Sequence, residues 1–360
     1  MNITIIGGGN IGTQFAIHCA NNGHTTTIYT SKPEKFSKEL SIVNENSDIL
    51  LKAKVHTITN NPKIAVENAD LIFVTVPPFQ MKVVANDILP FVKEKTYIAL
   101  IPGTGGGECA FSAFERKLCV IFGLQRVPSV ARLVEYGKTV CAVGYRNQLF
   151  VASLEKNKVH KCAKIIEDIF KIRCNTIPCY LNLTLTPSNP ILHTTRLYSI
   201  FKDYHCGKTY KTLPLFYENW NDETSNLLID CDNEVQQICN ALNMFNLSFV
   251  KSLKEHYESN DAKTMTNKIS SIAAFKGLKT PYIMNADKTL VPDFNSRYFT
   301  ADFSYGLIIL KQIAKLTSVK TPNMDKIWNW YANIITKRND FKYDDYAINS
   351  LSDFIKFYSR

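Results

Sequence analysis

The chain has 360 residues, of which 45% are hydrophobic and 21% are charged, and this is typical of a globular protein large enough for two domains. No apolar run reaches the roughly 18 residues that a membrane-spanning helix needs, and the N-terminus shows no secretory signal, so we expect a cytoplasmic protein without membrane contact. The formal net charge of +10 is spread along the chain among acidic residues, which argues against a nucleic-acid-binding stripe and suits the steering of anionic ligands.

The first half alternates apolar runs with helical patterns. Five runs have the length and composition of buried strands: residues 2–6, 25–29, 69–76, 97–101 and 119–122. Helices are predicted between them, notably at 81–92 and 108–117. A strand pair at about 139–152, a helix at about 155–170 and a strand near 173–177 are expected to extend the same sheet. This pattern predicts a mostly parallel α/β sheet of the Rossmann type over residues 1–178.

The glycine turn after the first strand predicts dinucleotide binding. Residues 7–12 match G-x-G-x-x-G: Gly7 permits a tight turn, Gly9 lets backbone N–H groups approach a pyrophosphate, and Gly12 lets the helix pack on the strand. Asn10 and Ile11 begin the helix, whose N-terminus favours negative charge. We expect all five residues to contact the cofactor; a merely structural turn is the alternative.

The side chains that follow the second strand indicate whether the protein prefers NAD(H) or NADP(H). An acidic residue there would bind the ribose 2′-hydroxyl of NAD, but this chain has Ser31 and Lys32, whose hydroxyl and cation can hold a 2′-phosphate. The sequence therefore predicts NADP(H) over NAD(H). The alternative is that Lys32 is a solvated loop charge.

Two later loops are expected to border the cofactor. Val76 and Pro77 follow a core strand at its carboxyl end, where ligands of open α/β sheets bind. Gly103 begins a glycine-rich stretch after the next strand and would allow close approach of a nicotinamide or substrate. A flexible turn is the alternative for Gly103.

The ten cysteines are scattered from Cys19 to Cys239 without a C-x-x-C pair. In a chain without a signal peptide we expect buried thiols, and the sequence predicts no metal site.

After about residue 178 strand-like runs become rare and helical periodicity dominates, which predicts an all-α domain over residues 179–360. One predicted helix face carries Phe303, Leu307, Leu310 and Ala314. The aromatic clusters at Phe216–Tyr217 and Trp328–Tyr331 are interpreted as helical core and left out of the site.

A dehydrogenase that reduces a carbonyl or imine needs a proton donor, and a histidine suits this role near neutral pH. Of the seven histidines, His193 stands out because Asn189 or Ser188 can cap a helix that has Pro190 at its first position. That would fix the side chain near the helix start. A histidine of a capped helix without catalytic function is the alternative.

The chain resembles the octopine/nopaline (opine) dehydrogenase family over essentially its whole length. The resemblance rests on the glycine motif and on residues 102–106, 189–193 (NPILH), 214–218 (PLFYE) and 297–307 (RYFTADFSYGL). The histidine and aspartate motifs are specific, whereas many dehydrogenases share the glycine motif. Where the family usually has Glu and Pro around the aspartate, this chain has Ala301 and Ser304, which leaves the loop shape and substrate preference open.

This family reduces the imine formed from an α-keto acid and the amino group of an amino acid. By motif, the resemblance implies that His193 is the acid/base and Asp302 its partner carboxylate. It also implies that Asn189 lines the substrate site, and the planar fork of Arg297 suits a substrate carboxylate.

The position of Asp302 has a physical interpretation as well. Thr300 is predicted to cap a helix beginning near Ala301, which places Asp302 in the first turn, where an anion is stabilised. An anionic carboxylate beside His193 would raise the proton affinity of the imidazole. Ordinary helix capping by Asp302 is the alternative.

The sequence thus predicts an NAD(P)H-dependent opine-type dehydrogenase that acts on an α-keto acid and an amino acid in a cleft between the domains. One rival is an NADPH-dependent reductase of a simple keto acid, similar to ketopantoate reductase, which would be expected to use a lysine acid. The other is a non-catalytic nucleotide sensor. The identities of the two substrates, the product stereochemistry and the oligomeric state, a homodimer included, stay open.

Overall fold

The computed structural model describes residues 1–186 and 189–360. It forms two compact units: Met1–Thr184 together with Ile355–Arg360, and Leu185–Phe354. These units differ from the predicted division at residue 178 in two respects, because the first runs on to Thr184 and also takes up the end of the chain.

The first unit is built from twelve strands and six helices. The strands are β1 (Asn2–Ile6), β2 (Thr25–Tyr29), β3 (Glu39–Val43), β4 (Ile49–Lys54), β5 (Thr57–Thr59), β6 (Leu71–Val74), β7 (Tyr97–Leu100), β8 (Val120–Leu124), β9 (Val130–Glu135), β10 (Thr139–Val143), β11 (Gln148–Ser153) and β12 (Arg173–Thr176). The helices are α1 (Asn10–Asn21), α2 (Pro62–Val66), α3 (Pro78–Ile88), α4 (Gly107–Ala110), α5 (Val159–Phe170) and α6 (Leu181–Thr184).

Eight strands form the main sheet in the order β12-β11-β8-β7-β6-β1-β2-β5. All neighbours are parallel except β8 and β11. The strand order reverses direction beside β1, because the chain moves outward to β2 and then returns to β6 on the other side. This doubly wound arrangement confirms the predicted Rossmann fold and places the carboxyl ends of β1, β2 and β6 at one edge.

A second sheet, in the order β4-β3-β10-β9, was not predicted. Residues 139–143 were expected in the main sheet, and this was wrong, since β10 pairs with β3 and β9. Only β11, from the predicted pair, joins the main sheet. Buried residues of α1 and of both sheets form one hydrophobic core.

The second unit is mainly helical. Its helices are α7 (Asn189–Phe201), α8 (Asp222–Ala241), α9 (Leu253–His256), α10 (Ala262–Ser271), α11 (Arg297–Thr300), α12 (Ile308–Leu316), α13 (Pro322–Ile334) and the first half of α14 (Leu351–Tyr358). A small antiparallel ribbon, β13 (Tyr282–Met284) and β14 (Leu290–Pro292), departs from the all-α prediction. In the part of the chain that the structure describes, none of the helices combines the length and apolar character needed to cross a bilayer.

Helix packing explains how the second unit holds together. The predicted face of Phe303, Leu307, Leu310 and Ala314 is confirmed, since each is at most 2% exposed. The start of α13 is fixed by Glu234 of α8, whose carboxylate accepts hydrogen bonds from the backbone N–H groups of Asn323 (2.7 Å) and Met324 (2.9 Å). A carboxylate there satisfies free N–H groups and complements the positive end of the helix.

Candidate active site

The glycine turn has the geometry that a dinucleotide needs. Gly7 has φ = +104°, which favours glycine, and a Cβ on Gly12 would lie 1.8 Å from the carbonyl oxygen of Gly7. Only glycine therefore lets α1 start so close to the end of β1. A Cβ on Gly9 would meet nothing within 4 Å, and Gly9 precedes α1 without a side-chain cap. The backbone there is open to a pyrophosphate, so these residues fit the cofactor.

The side chains of Asn10 and Ile11 serve the fold. Asn10 Oδ1 accepts a hydrogen bond of 2.9 Å from the backbone N–H of Leu133 and so ties α1 to β9, while Ile11 packs against the hydrophobic core. The two residues are still predicted to contact the cofactor, but through their main-chain atoms, because their side chains are engaged within the protein.

Ser31 and Lys32 both lie exposed just beyond the end of β2. Phe36 covers the glycine turn nearby: a Cβ on Gly8 would lie 2.3 Å from its ring. No local pattern in the sequence indicates this position of Phe36, because it is one aromatic residue in a polar loop.

The loop after β6 lies beside the glycine turn, as predicted. A Cβ on Gly7 would lie 3.1 Å from the side chain of Val76, and Thr75 Oγ1 donates hydrogen bonds to the carbonyl oxygens of Ile6 (2.9 Å) and Gly7 (3.2 Å). Pro77, half-buried, precedes α3. Thr75 thus holds two strand ends together, a structural role that the sequence did not reveal.

Gly103 is buried and has a packing reason to be glycine. A Cβ there would lie 2.7 Å from Leu183 Cδ1 and 3.0 Å from both Gly123 Cα and the Tyr180 hydroxyl. The position is therefore tightly packed, unlike the flexible turn that was the alternative. Its contact with a cofactor stays a prediction.

In the second unit the structure brings His193 and Asp302 together. His193 lies in the second turn of α7 and is 8% exposed. Its Nδ1 is 2.7 Å from Asp302 Oδ2, and the Asp302 side chain is 16% exposed. A carboxylate at this distance accepts the Nδ1 proton, which leaves Nε2 as the atom that gains and loses a proton.

Tyr217 also belongs to this site, and its assignment to the helical core was incomplete. Its hydroxyl is 2.7 Å from His193 Nε2. The ring does pack in an aromatic cluster, stacked on Phe275 at 4.1 Å between centroids. The only sequence signal was its place in the motif at 214–218, because an aromatic cluster by itself favours core packing.

The predicted cap by Thr300 was wrong. Thr300 is the last residue of α11, and its hydroxyl donates to the carbonyl oxygen of Ser296. Asp302 instead immediately precedes a π-helical segment, Phe303–Leu307, that continues into α12. A hydrogen bond of 2.7 Å from Leu307 N to the Asp302 carbonyl oxygen closes the wide turn. Wide turns of this kind often occur at functional sites.

The π-helical segment comes very close to the start of α7. A Cβ on Gly306 would lie 2.9 Å from Cγ of Pro190. Glycine at 306 therefore allows the two elements that carry Asp302 and His193 to approach each other. Ser188, the alternative cap of α7, lies outside the described residues.

Asn189 and Arg297 are the first residues of α7 and α11, and both are exposed. The structure does not place either side chain in a hydrogen bond with the His193–Asp302 pair. The neighbour of Arg297, Tyr298, packs its ring edge-on against His193 with centroids 4.6 Å apart. Across residues 1–186 and 189–360, no group of three or more metal-binding side chains comes together.

Comparisons with known proteins cover both units. Residues 176–335 match the family model of the NAD/NADP octopine/nopaline dehydrogenase α-helical domain, and residues 2–107 match the NAD-dependent glycerol-3-phosphate dehydrogenase N-terminus. Tauropine dehydrogenase of Arabella iricolor is 26% identical over 366 residues, which is 93% of this chain and 91% of the relative. Octopine dehydrogenase of Pecten maximus is 26% identical over 368 residues, 93% of this chain and 90% of the relative.

Solved structures agree with the fold. An octopine dehydrogenase with NADH and L-arginine superposes with a TM-score of 0.84 at 22% identity, covering 98% of this chain and 97% of that one. A ketopantoate reductase reaches a TM-score of 0.62 at 12% identity over 92% of this chain and 98% of that one. The match to the octopine/nopaline dehydrogenase α-helical domain spans residues 176–335 and so includes His193 and Asp302. The chain is thus similar to octopine and tauropine dehydrogenases over nearly its whole length, and its second unit matches their α-helical domain.

Proposed function

We propose that this protein catalyses the reductive condensation of an α-keto acid with the amino group of an amino acid, using NAD(P)H, to give an N-(carboxyalkyl) amino acid. The observation that carries the proposal is the partly buried contact between His193 and Asp302 within the domain that matches the octopine/nopaline dehydrogenase model. Solved octopine dehydrogenases contain NADH with L-arginine, agmatine or pyruvate, which supports an amine and a keto acid as the two substrates.

His193 supplies the acid in this reaction. Condensation of an amine with a ketone expels the carbonyl oxygen as water, and that oxygen needs a proton to leave. The Asp302 carboxylate, 2.7 Å from Nδ1, accepts the proton of that nitrogen and orients the ring, so that Nε2 is the atom that donates in the reaction. A bound dihydronicotinamide supplies the hydride that reduces the imine carbon.

The remaining predicted residues have binding roles in this proposal. The backbone between Gly9 and Gly12 holds the pyrophosphate at the start of α1. Arg297, exposed at the start of α11, binds a substrate carboxylate through two parallel hydrogen bonds, and Asn189 contributes a polar contact from the start of α7. The cytoplasmic location expected from the sequence stays a prediction.

We further propose NADP(H) as the preferred cofactor, because Ser31 and Lys32 lie exposed at the end of β2. Lys32→Glu should lower kcat/KM for NADPH by about tenfold or more and change that for NADH little, since the new carboxylate repels only the 2′-phosphate. Lys35→Glu, an equal charge change at a nearby exposed lysine, is the matched control. Steady-state kinetics give kcat/KM for both cofactors, and a wild-type preference for NADH would refute the proposed preference for NADP(H).

The function itself is tested by following NADPH and NADH oxidation with pyruvate and other α-keto acids, each with and without a panel of amino acids. We expect oxidation only when a keto acid and an amino acid are both present. A simple keto acid reductase would need no amino acid, and a nucleotide sensor would bind cofactor without turnover in every mixture.

A further inference from the structure

Both ring nitrogens of His193 are occupied. Nδ1 lies 2.7 Å from Asp302 Oδ2, and Nε2 lies 2.7 Å from the hydroxyl oxygen of Tyr217. These lengths are those of good hydrogen bonds. With Asp302 accepting the Nδ1 proton, Nε2 is the only nitrogen that can exchange a proton during catalysis, and it faces a tyrosine hydroxyl.

A hydroxyl suits this position because it can both donate and accept. When His193 is neutral, the Tyr217 O–H donates to Nε2. When His193 is protonated, Nε2–H donates to the Tyr217 oxygen, and the hydroxyl proton of Tyr217 can then be donated to a different acceptor. The imidazole therefore keeps a partner in both protonation states without turning its ring.

Tyr217 is held firmly in place. Its ring stacks on Phe275, and the main chain around it is held by Arg196, which lies one turn beyond His193 on α7. Arg196 is 2% exposed and donates hydrogen bonds to three carbonyl oxygens, those of Phe216 (2.7 Å), Leu215 (3.1 Å) and Asn219 (2.8 Å). Burial lowers the pKa of Arg196 to about 10, so it stays charged at neutral pH. Arg196 is thus a positioning residue that couples Tyr217 to the helix of His193.

We propose that His193 delivers its proton to the substrate through the hydroxyl of Tyr217, so that Asp302, His193 and Tyr217 form a relay. This proposal rests on the proposed function. The Tyr217 O–H proton moves to the carbinolamine oxygen, which departs as water, while the Nε2–H proton moves to the Tyr217 oxygen. The amine nitrogen supplies its lone pair to the C=N bond and keeps its remaining N–H, so the step yields water, a protonated imine and a neutral His193. Two protons therefore move in the dehydration step.

The test compares Tyr217→Phe with Tyr331→Phe. The first variant keeps the stacked ring and loses only the relay hydroxyl. The control loses a buried hydroxyl of the same unit whose partners are Ser304 Oγ at 3.2 Å and the carbonyl oxygen of Phe299 at 3.5 Å. Cofactor dissociation constants and thermal unfolding establish that both variants are folded. Single-turnover rates are then measured in mixtures of H2O and D2O, where two moving protons give a curved dependence on the deuterium fraction and one gives a straight line.

We expect Tyr217→Phe to lower the turnover rate by a factor on the order of 10², with KM little changed and a straight-line isotope dependence. Wild type and Tyr331→Phe should both keep the full rate and the curved dependence. A Tyr217→Phe rate within a factor of about two of wild type would overturn the relay, as would a straight line for wild type or a curved one for Tyr217→Phe. If His193→Ala is inactive while Tyr217→Phe is fast, the relay fails but the proposed function stands.

Discussion

Replacing His193 by alanine is expected to lower kcat by a factor on the order of 10² or more, because the reaction loses its acid. His193 is 8% exposed and contacts Asp302 and Tyr217, and all three residues lie within the second compact unit. The glycine turn belongs to the first unit, so the cofactor dissociation constant should stay within a factor of about two of wild type. Stopped-flow turnover and fluorescence titration with NADPH measure the two quantities separately.

Asp302→Ala serves as the companion variant. It should also lower kcat by a factor on the order of 10², because the imidazole loses the carboxylate that accepts its Nδ1 proton and orients its ring. Since the two residues act as a unit, the double variant should be hardly slower than either single one. Unchanged turnover in either single variant would remove that residue from the mechanism, and additive losses would mean that the two act independently.

Gly12→Ala is expected to have the largest effect on the first unit. The added Cβ would lie 1.8 Å from the carbonyl oxygen of Gly7, so α1 and the turn would have to move apart. Such overpacking typically costs about 1–3 kcal/mol of unfolding free energy. The displaced helix start should also weaken cofactor binding by about tenfold or more. Chemical denaturation and cofactor titration measure the two effects.

Gly9→Ala is the matched control for this prediction. Its Cβ would meet nothing within 4 Å, and the backbone angles of φ = −84° and ψ = −165° are open to alanine. Stability should therefore be unchanged while cofactor affinity falls, because the methyl group stands where a pyrophosphate would approach. Full affinity in Gly9→Ala would place the cofactor elsewhere, and unchanged stability in Gly12→Ala would contradict the packing described here.

The sequence predicted the Rossmann sheet well where strands are buried on both faces. The predicted strands at 2–6 and 25–29 have the same first and last residues as β1 and β2. Continuous apolar or β-branched runs next to glycine turns have few interpretations other than strands. The second sheet was not predicted. Its strand β4 (Ile49–Lys54) is half-exposed and carries lysines, so its sequence resembles that of a surface loop. The pairing of β10 with β3 joins segments far apart in the chain, and no local pattern predicts it.

The site was predicted through motifs more than through local physics. His193 and Asp302 meet across 109 positions, and only the family resemblance paired them. The predicted cap by Thr300 was wrong because the chain forms a π-helical segment after Asp302, which residue propensities do not predict. The sequence predicts Tyr217 as core, and its ring does pack against aromatic residues. The contact of its hydroxyl with His193 depends on the three-dimensional fold.

The most direct test of the proposed chemistry uses NADPH and NADH that carry deuterium at the transferable position, together with an α-keto acid and an amino acid. We predict a product whose mass equals the two substrates minus water plus one hydrogen and one deuterium, with the deuterium on the carbon that bears both the carboxylate and the new nitrogen. Deuterium found instead in a 2-hydroxy acid, formed at the same rate without the amino acid, would contradict the account.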